Sequence, residues 1–386
     1  MAENTITGLV PDIYEGLDLV SRELTGLIPS VTIAASSERA AKDQNIVVDV
    51  EPEGNVVDIT PAMQTPEPTG QTSGTTNVVI TKSRAAEFGF IGEHQKGLQT
   101  GAGYQNVRAN KIAQAIRAVV NEVEADLAGL QSTFSRAVGT AGTTPFATAN
   151  DYTAATLARK VLKDNGGDVD PQLVIDTAAG ANMLGKQSAV NAAGTESLLR
   201  QGVLLDTAGM PLRESGQINN FTAGAMSSAT TNAAGYAVGA TVITLATAGT
   251  GVVAAGDVIT FAGDTNQYVV TSVNFAGANP AAGDTITIAA PGLRVAIATS
   301  ATAITVVASS ARNMCFARSA LVLAARAPAL PEEGDNATDR MLITDPRSGL
   351  TLEFSMYKGY RKVRYEVGLA WGVKNIKPEH TALLLG

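Results

Sequence analysis

The sequence predicts an α+β fold into which a small all-β barrel is inserted. A stripe of apolar residues at helical spacing fills 107–137, and a strict strand alternation fills 363–371. Between them, from about residue 222, the composition changes to small and β-branched residues with many short strand signals. Helical and strand patterns in separate long segments indicate an α+β arrangement rather than a regular alternation of strands and helices.

Composition and charge disfavour several classes of function. The 386 residues include 28 Lys and Arg against 36 Asp and Glu, a net charge of −8, whereas a protein specialised for gripping DNA phosphates needs a basic footprint. Cys315 is the only cysteine, and His94 and His380 are the only histidines. This leaves no intramolecular disulfide, no cysteine zinc site and little material for a Ser-His-Asp triad. We therefore expect no cofactor, no metal and no enzymatic activity.

The N-terminal residues predict a docking helix. Apolar residues recur at helical spacing from Ile13 to Leu27, so a short amphipathic helix must find another element to cover it. The first residues have neither a basic n-region nor an apolar h-region, and no run of about 18 apolar residues follows. We expect neither a signal peptide nor a membrane span.

Residues 35–100 predict an extended two-stranded arm. Alternation over 46–51 and the apolar run 78–80 indicate two strands, and 61–76 between them is rich in Pro, Gly and Thr. An arm of this length is hard to stabilise inside one compact subunit. It is either a floppy surface loop or an arm that lies on a neighbouring subunit.

The apolar stripe over 107–137 predicts one helix of roughly 45 Å. Its members fall three or four residues apart on one helix face, and Asn106 is placed to cap the start. Gly129 is its weakest position, at a cost of about 1 kcal/mol relative to Ala. A helix of this length predicts a strut on which other elements pack.

Residues 150–220 have an α/β pattern. A helix is predicted over 152–163, ended by Asn165-Gly166-Gly167, and a buried strand over 173–175. A helix of small residues follows through Met183.

From about 222 to 310 the residues are almost all Ala, Thr, Val, Gly, Ile and Ser. Strands are predicted over 240–245, 257–261, 267–273, 284–289 and 303–307. Gly256-Asp257-Val-Ile-Thr-Phe has an echo in Gly283-Asp284-Thr-Ile-Thr-Ile, and each Gly-Asp pair predicts a turn into a strand. These features are typical of a small barrel or sandwich, and its few charges favour an insertion anchored to a host domain.

The C-terminal part predicts long strands. Strands over 341–344 and 350–354 flank a hairpin loop at 345–349. Val363, Tyr365, Val367, Leu369 and Trp371 then alternate with other residues, which predicts a long strand with one buried face.

The remaining motifs give weak support for chemistry. The Gly-rich turn at 101–103 precedes a helix, but no Lys-Ser/Thr follows as in a phosphate-binding P-loop, so a flexible joint is favoured. Cys315 lies in an apolar strand and is interpreted as a buried structural thiol.

Two oppositely charged segments are candidate contacts between subunits. Basic residues cluster near the last strands, and acidic residues cluster on the arm. Either run could be a solvated face, and the alternative is that the two pair between subunits. The candidates are Asp49, Glu51, Glu53, Lys82, Lys358, Arg361, Lys362 and Arg364.

The order of elements resembles the major capsid (coat) protein of tailed double-stranded-DNA bacteriophages, the Hong Kong 97 fold, in its short-tailed-phage branch with an inserted β-domain. The resemblance lies in the arm over 45–83, the long helix, the insertion around Gly256–Gly263 and the closing 369–378. It covers nearly the whole chain as an ensemble of loose patterns.

The resemblance implies a division of the chain into named parts. These are an N-terminal arm (1–34), an extended loop (35–100), a peripheral domain with the spine helix (101–149), an axial domain (150–221 and 311–345), an inserted all-β domain (222–310) and C-terminal strands that return to the peripheral domain (346–386).

The family also implies partners. The chain would assemble with copies of itself as hexamers and pentamers, with a scaffolding protein, a portal protein and a decoration protein as further partners. It would form the virion capsid, assembled in the host cytoplasm, and enclose DNA without sequence-specific binding. Some relatives crosslink subunits through a Lys on the extended loop. Lys82 is the nearest candidate here, but no matching Asn and acid accompany it, so we expect no crosslink.

Glycine joints could absorb the shape change between hexamers and pentamers, and Gly101, Gly103 and Gly129 are the candidate hinges. Two other functions compete with a shell subunit. An extracellular β-rich adhesin or binding module predicts export, and an α/β enzyme predicts titratable residues at strand ends.

Overall fold

A computed structural model of the chain describes residues 26–36, 38–50, 58–59, 61, 74–98, 104–148, 151–186, 204, 206–277, 279–344 and 349–386. The predicted N-terminal helix, most of the excursion over 61–76 and the loop at 345–348 lie outside these residues.

Four α-helices and twenty strands form within the described residues. The helices are α1 (Gly92–Leu98), α2 (Tyr104–Gly129), α3 (Thr153–Asp164) and α4 (Thr177–Lys186). The first ten strands are β1 (Thr32–Ala35), β2 (Asn45–Val50), β3 (Gly74–Val79), β4 (Lys82–Ile91), β5 (Arg136–Val138), β6 (Pro171–Ile175), β7 (Leu212–Glu214), β8 (Asn220–Phe221), β9 (Ala229–Thr231) and β10 (Val242–Thr247). The others are β11 (Val258–Phe261), β12 (Gln267–Asn274), β13 (Thr285–Ile288), β14 (Ala303–Val306), β15 (Ser310–Ala317), β16 (Leu321–Arg326), β17 (Asp339–Thr344), β18 (Thr351–Gly359), β19 (Lys362–Asn375) and β20 (Thr381–Leu385).

The long helix α2, here called the spine helix, ends earlier than the sequence predicts. It stops at Gly129, so its 26 residues span about 39 Å rather than 45 Å. A short 3₁₀ turn follows over Leu130–Thr133, and the Thr133 hydroxyl donates to the Leu130 carbonyl at 2.7 Å. Phe134 is extended, yet it stays buried in the same core. The stripe therefore continues although the helix does not. The expected cap is also wrong, because Asn106 lies inside a helix that begins at Tyr104.

A six-stranded sheet packs on the spine helix. Its order is β1-β16-β19-β18-β17. The strand β4 lies on the same side of β19 as β16, and it pairs with the first part of β19 whereas β16 pairs with the last part. The long strand β19 gives Tyr365, Val367, Leu369 and Trp371 to the core shared with the spine helix, as the alternation predicts. Between Gly368 and Gly372 the opposite face is buried too, which the prediction of one buried face missed.

A second sheet holds the α/β part. Its strands run β5-β20-β15-β6-β7, with β15 central and antiparallel to both neighbours, and β5 also pairs with β12, which joins this sheet to the strands described next. The helices α3 and α4 cover it over a separate apolar core that includes Leu162, Leu173 and Met183. The predicted helix end is confirmed, because Gly166 has a φ of +75° and its N–H donates to the Lys163 carbonyl at 3.1 Å.

Six short strands between 229 and 306 close on themselves. Each pairs antiparallel with the next in the order β9-β10-β13-β12-β11-β14, and β14 pairs back to β9. We call this the β-ring. Its interior holds alternate apolar residues such as Ile243, Tyr268 and Ile286. The chain enters from β8 and leaves into β15, and these two strands pair with each other at Phe221 and Ser310.

Beside the sheet, β2 and β3 form a separate antiparallel hairpin. The sequence predicts an arm over 35–100, but the two-stranded part is shorter in the structure. β4 belongs to the six-stranded sheet and α1 follows it, so the hairpin ends at Val79. Its base packs on the sheet through Ile46, Val78 and Ile80.

Candidate inter-subunit surfaces

A basic turn protrudes at one end of the six-stranded sheet. It joins β18 to β19 and carries Lys358, Arg361 and Lys362, with Tyr360 between them. Tyr360 is 90% exposed, and the Arg361 guanidinium lies 5.9 Å from its ring centroid. Arg361 has a φ of +55°, so the turn is tight. We call residues 358–362 the basic tip.

Two clefts flank the basic tip. One, of about 660 Å³, is lined by the tip and by Phe90, Ile91 and Glu93, where β4 passes into α1. The other, of about 340 Å³, is lined by Phe88, His94 and neighbouring residues. The tip thus combines cations with exposed aromatic and apolar surface.

Arg364, the fourth basic candidate, is engaged within the chain. Its guanidinium pairs with Glu87 on β4 and with Glu366 at 3.3 Å. The pair with Glu87 joins β19 to β4 just behind the tip, and the pair with Glu366 lies along β19 itself. The residues of the basic tip are exposed at this end of the sheet.

Lys82 is also engaged within the chain. Its ammonium lies 2.7 Å from Asp126 Oδ1 and 3.0 Å from Glu122 Oε1 on the spine helix, and 5.9 Å from the Trp371 ring centroid. The hydrogen bond to Asp126 is the largest cause that raises the pKa of Lys82. These contacts tie Lys82 to the spine helix of its own subunit, and the absence of a crosslink at Lys82 stays a prediction.

The hairpin carries the opposite charge. Between 45 and 79 the sequence has five acidic residues and no Lys or Arg. Asp49 and Asp58 are exposed in the structure, whereas Glu51 and Glu53 lie outside the described residues. Val47 on β2 is also 61% exposed. We call residues 45–79 the acidic hairpin.

The acidic hairpin leaves the sheet away from the basic tip. Val79 at its base lies over Gly372, and Thr76, further along, accepts a hydrogen bond from Lys374 at 2.8 Å. Following the hairpin towards its far end therefore means following β19 away from Lys362. The base itself is about 33 Å from the tip, at 3.3 Å per strand residue.

A buried carboxylate that sequence analysis missed holds the N-terminal segment. Glu124 on the spine helix accepts hydrogen bonds from the backbone N–H groups of Leu27 at 2.7 Å and Ile28 at 3.0 Å, and from the Ser215 hydroxyl at 2.7 Å. Burial is the largest cause that raises the pKa of Glu124. A signal was available, because Glu124 lies four residues after Val120 and three before Leu127, at core spacing on the helix.

Of the three candidate hinges, only Gly129 lies among the residues that the structure describes. Gly101 and Gly103 lie outside the described residues. Gly129 stands where the spine helix passes into the 3₁₀ turn, with a φ of −61°. A Cβ there would meet nothing within 4 Å, so the structure does not require glycine at this position. A hinge role stays a prediction.

Chemical groups for catalysis are sparse in the parts of the chain that the structure describes. No cluster of three His, Cys, Asp or Glu side chains there could hold a metal ion. Cys315 is buried, and burial raises the pKa of its thiol to about 12. Among the same residues, no helix is both long and apolar enough to cross a membrane.

Comparisons with known proteins find likeness among solved structures. No family model and no curated protein matches the sequence. The capsid of cyanophage P-SCSP1u is 10% identical, with a TM-score of 0.46, over 92% of this chain and 86% of that one. A structure from Mycobacterium phage Che8 is 12% identical, with a TM-score of 0.43, over 90% and 88%. The capsid of the myovirus XM1 is 9% identical, with a TM-score of 0.41, over 94% and 92%.

Proposed function

We propose that the chain is a major capsid protein of a tailed double-stranded-DNA bacteriophage. Many copies would assemble, as hexamers and pentamers, into an icosahedral shell that encloses the packaged DNA. The role is structural, and no catalytic step is assigned to any residue.

The observation that carries the proposal is the placement of opposite charges on one subunit. The acidic hairpin has five acids and no cation, and the basic tip lies at the other end of the same strand. Because the hairpin leaves the sheet away from the tip, the two meet most directly between copies. A head-to-tail contact of two different surfaces repeats from copy to copy and closes into rings when the rotation allows. Rings of this kind are the capsomers of a shell.

The arrangement of the chain supports the same proposal. An arm, a spine helix against a long-stranded sheet and an α/β part occur in the order that resembles the Hong Kong 97 fold. The β-ring fits an inserted barrel domain, because its entry strand β8 and exit strand β15 pair with each other. A domain whose two ends meet can be inserted without disturbing its host.

Further partners belong to the proposal. A scaffolding protein, a portal protein and a decoration protein would each bind the assembled subunits, and assembly would take place in the host cytoplasm. DNA would be enclosed rather than gripped, in keeping with the net charge of −8.

The test is a charge swap in the full chain. Arg361→Glu with Lys362→Glu should abolish shells or rings seen by negative-stain microscopy, because the acidic hairpin of the next copy then meets a like charge. Asp49→Lys with Glu51→Lys and Glu53→Lys should do the same. Combining both sets should restore assembly, since the two charges are exchanged rather than lost.

Lys42→Glu with Lys111→Glu is the matched control, because it changes the net charge equally at exposed sites away from the tip. If wild-type chain stays monomeric at high concentration, with and without a scaffold, the proposal is wrong. If the tip variant assembles normally, the charge contact is wrong.

A further inference from the structure

The acidic hairpin packs on small residues of the sheet, Ala370 and Gly372 on β19 and Ala324 on β16, here called the seat. The strand turns Leu369 and Trp371 towards the spine helix, so Ala370 and Gly372 face the other way. Ala324 on β16 is the pairing partner of Gly372 and is buried in the same small cluster. The seat is therefore flat at the place where the hairpin crosses it.

Gly372 is the point of closest approach. A Cβ at this position would overlap the Val79 carbonyl oxygen, and would lie 2.8 Å from the Val79 carbonyl carbon and 3.1 Å from Ile80 Cα. All three are backbone atoms, which cannot rotate away as the end of a flexible side chain can. Any side chain at position 372 must move the hairpin backbone off the sheet.

Lys374, two residues further along β19, forms a second attachment to the hairpin, here called the clasp. The Lys374 ammonium donates to Thr76 Oγ1 at 2.8 Å and to the Asn77 carbonyl at 2.9 Å. Apolar contacts of Ile46, Val78 and Ile80 fill the space between hairpin and sheet. The hairpin is therefore attached to β19 at two points, Gly372 and Lys374, and two points fix its direction. With one attachment the hairpin could rotate about it.

We propose that Gly372 is the positioning residue that sets the direction in which the acidic hairpin leaves the subunit. The Val79 backbone lies on the sheet only because position 372 has no side chain. Lys374 then holds the next part of the hairpin along the strand. The consequence, that Gly372 selects which neighbouring copy the hairpin reaches, rests on the proposed function.

The experiment measures hairpin direction in the unassembled full-length subunit. Spin labels at Thr75→Cys on β3 and Lys111→Cys on the spine helix report the distance between hairpin and body, and buried Cys315 stays unlabelled. We expect one narrow distance distribution in the otherwise wild-type chain. Gly372→Ala should shift its centre by several ångströms or broaden it at least twofold.

Gly368→Ala is the matched control on the same face of β19. Its Cβ would approach the ring of Pro328 at 3.3 Å and Ala85 Cβ at 3.9 Å, and neither is part of the hairpin, so the distribution should not change. Trp371 is the only tryptophan and is fully buried on the opposite face, so unchanged blue-shifted emission shows that the sheet still packs on the spine helix. Lys374→Met removes the clasp but keeps the seat, and should broaden the distribution less than Gly372→Ala.

An unchanged distribution in Gly372→Ala, with Trp371 emission retained, would overturn the proposal. A larger displacement in Lys374→Met than in Gly372→Ala would overturn it too, because the clasp would then set the direction. Failure of the wild-type chain to form shells would refute the proposed function instead. The distance measured in the single subunit does not depend on that result.

Discussion

The β-ring and the six-stranded sheet differ in how many charged residues they have and in what those residues bond to. Between 222 and 310 the charged residues are Asp257, Asp264, Asp284 and Arg294. The three aspartates accept hydrogen bonds from their own region, for example Asp264 from the Tyr268 hydroxyl at 2.6 Å. The six-stranded sheet and spine helix, by contrast, are crossed by ion pairs such as Lys82–Asp126 and end in the basic tip.

The difference separates a region built to hold itself together from one built to meet others. A closed ring has no free sheet edge to which another strand could add. Its aspartates accept hydrogen bonds from N–H groups of their own turns, so these carboxylates do not contact a partner. On the sheet and hairpin, by contrast, Asp49, Arg361 and Lys362 are charged residues exposed at the surface. How deeply each charge is buried then decides what its loss costs, and three substitutions test this.

The largest effect is expected for Asp257→Ala in the β-ring. Asp257 is fully buried and accepts from the N–H groups of Ala254 at 2.7 Å and Gly224 at 2.8 Å. Losing this buried carboxylate, and with it the acceptor of two partly buried N–H groups, should cost about 2–4 kcal/mol. Hydrogen exchange followed by mass spectrometry should show faster exchange in ring peptides and little change in the spine helix.

Asp257→Asn keeps one acceptor oxygen and should cost less, and exposed Glu93→Ala should cost nothing measurable. Asp284→Ala should repeat the effect, because Asp284 accepts from the Ala281 and Ala276 N–H groups in the second copy of the motif. Equal loss of amide protection in the β-ring and the spine helix would show that the two regions unfold as one unit. The β-ring would then not be a region that is stabilised by its own contacts.

Sequence patterns predict the β-ring well because its determinants are local. Gly256 and Gly283 have φ values of +92° and +93°, and the aspartate after each caps the turn, so the two Gly-Asp pairs work as predicted. All five strands predicted between 240 and 307 form, within a few residues of the expected bounds. Alternation and turn residues a few positions apart carry this information.

The candidate surfaces could not be predicted as fully, because they depend on contacts between distant segments. Nothing near Gly372 indicates that Val79 crosses it, and nothing near Lys82 indicates Asp126 as its partner. The charge of the acidic hairpin and the basic tip was readable from sequence. Which cations remain outward, and which way the hairpin leaves, needed the fold.

An intermediate effect is expected for Glu124→Gln on the spine helix, where the side chain bonds to the N-terminal segment and to Ser215. The amide offers one acceptor oxygen where the Glu124 carboxyl has two oxygens beside the Leu27, Ile28 and Ser215 donors, so the variant should lose about 1–3 kcal/mol. Burial raises the pKa of Glu124 from 4.5, so the folded state binds its proton more tightly than the unfolded state. The advantage of the wild type over the variant is therefore full below about pH 4.5 and shrinks as pH rises through the raised pKa.

Urea unfolding of both chains at pH 4, 5.5 and 7 measures this difference, and common pH effects cancel between them. Faster exchange of amides 26–31 in the variant would place the loss at the N-terminal segment. A wild-type advantage that grows with pH would mean that the three donors outweigh burial, contrary to the argument.

The smallest effect is expected for Lys82→Met on the six-stranded sheet. The Lys82 side chain is 29% exposed, and solvent screens its pairs with Glu122 and Asp126. Asp126 also keeps the hydrogen bond from Trp371 Nε1 at 2.8 Å, so no buried carboxylate is orphaned. The loss should stay below about 1 kcal/mol, against the larger loss at Asp257.

The pH dependence identifies the source of that small loss. The pKa of Lys82 is raised in the folded state, so its contribution is full below about pH 10.5 and is lost as pH rises through the folded pKa. The gap between wild type and Lys82→Met should therefore stay constant from pH 8 to about pH 10 and shrink only above pH 10.5 in urea unfolding, with exposed Lys111→Met as the control that shows no gap. A gap that does not shrink above pH 10.5 would assign the effect to apolar packing of the lysine side chain rather than to its charge.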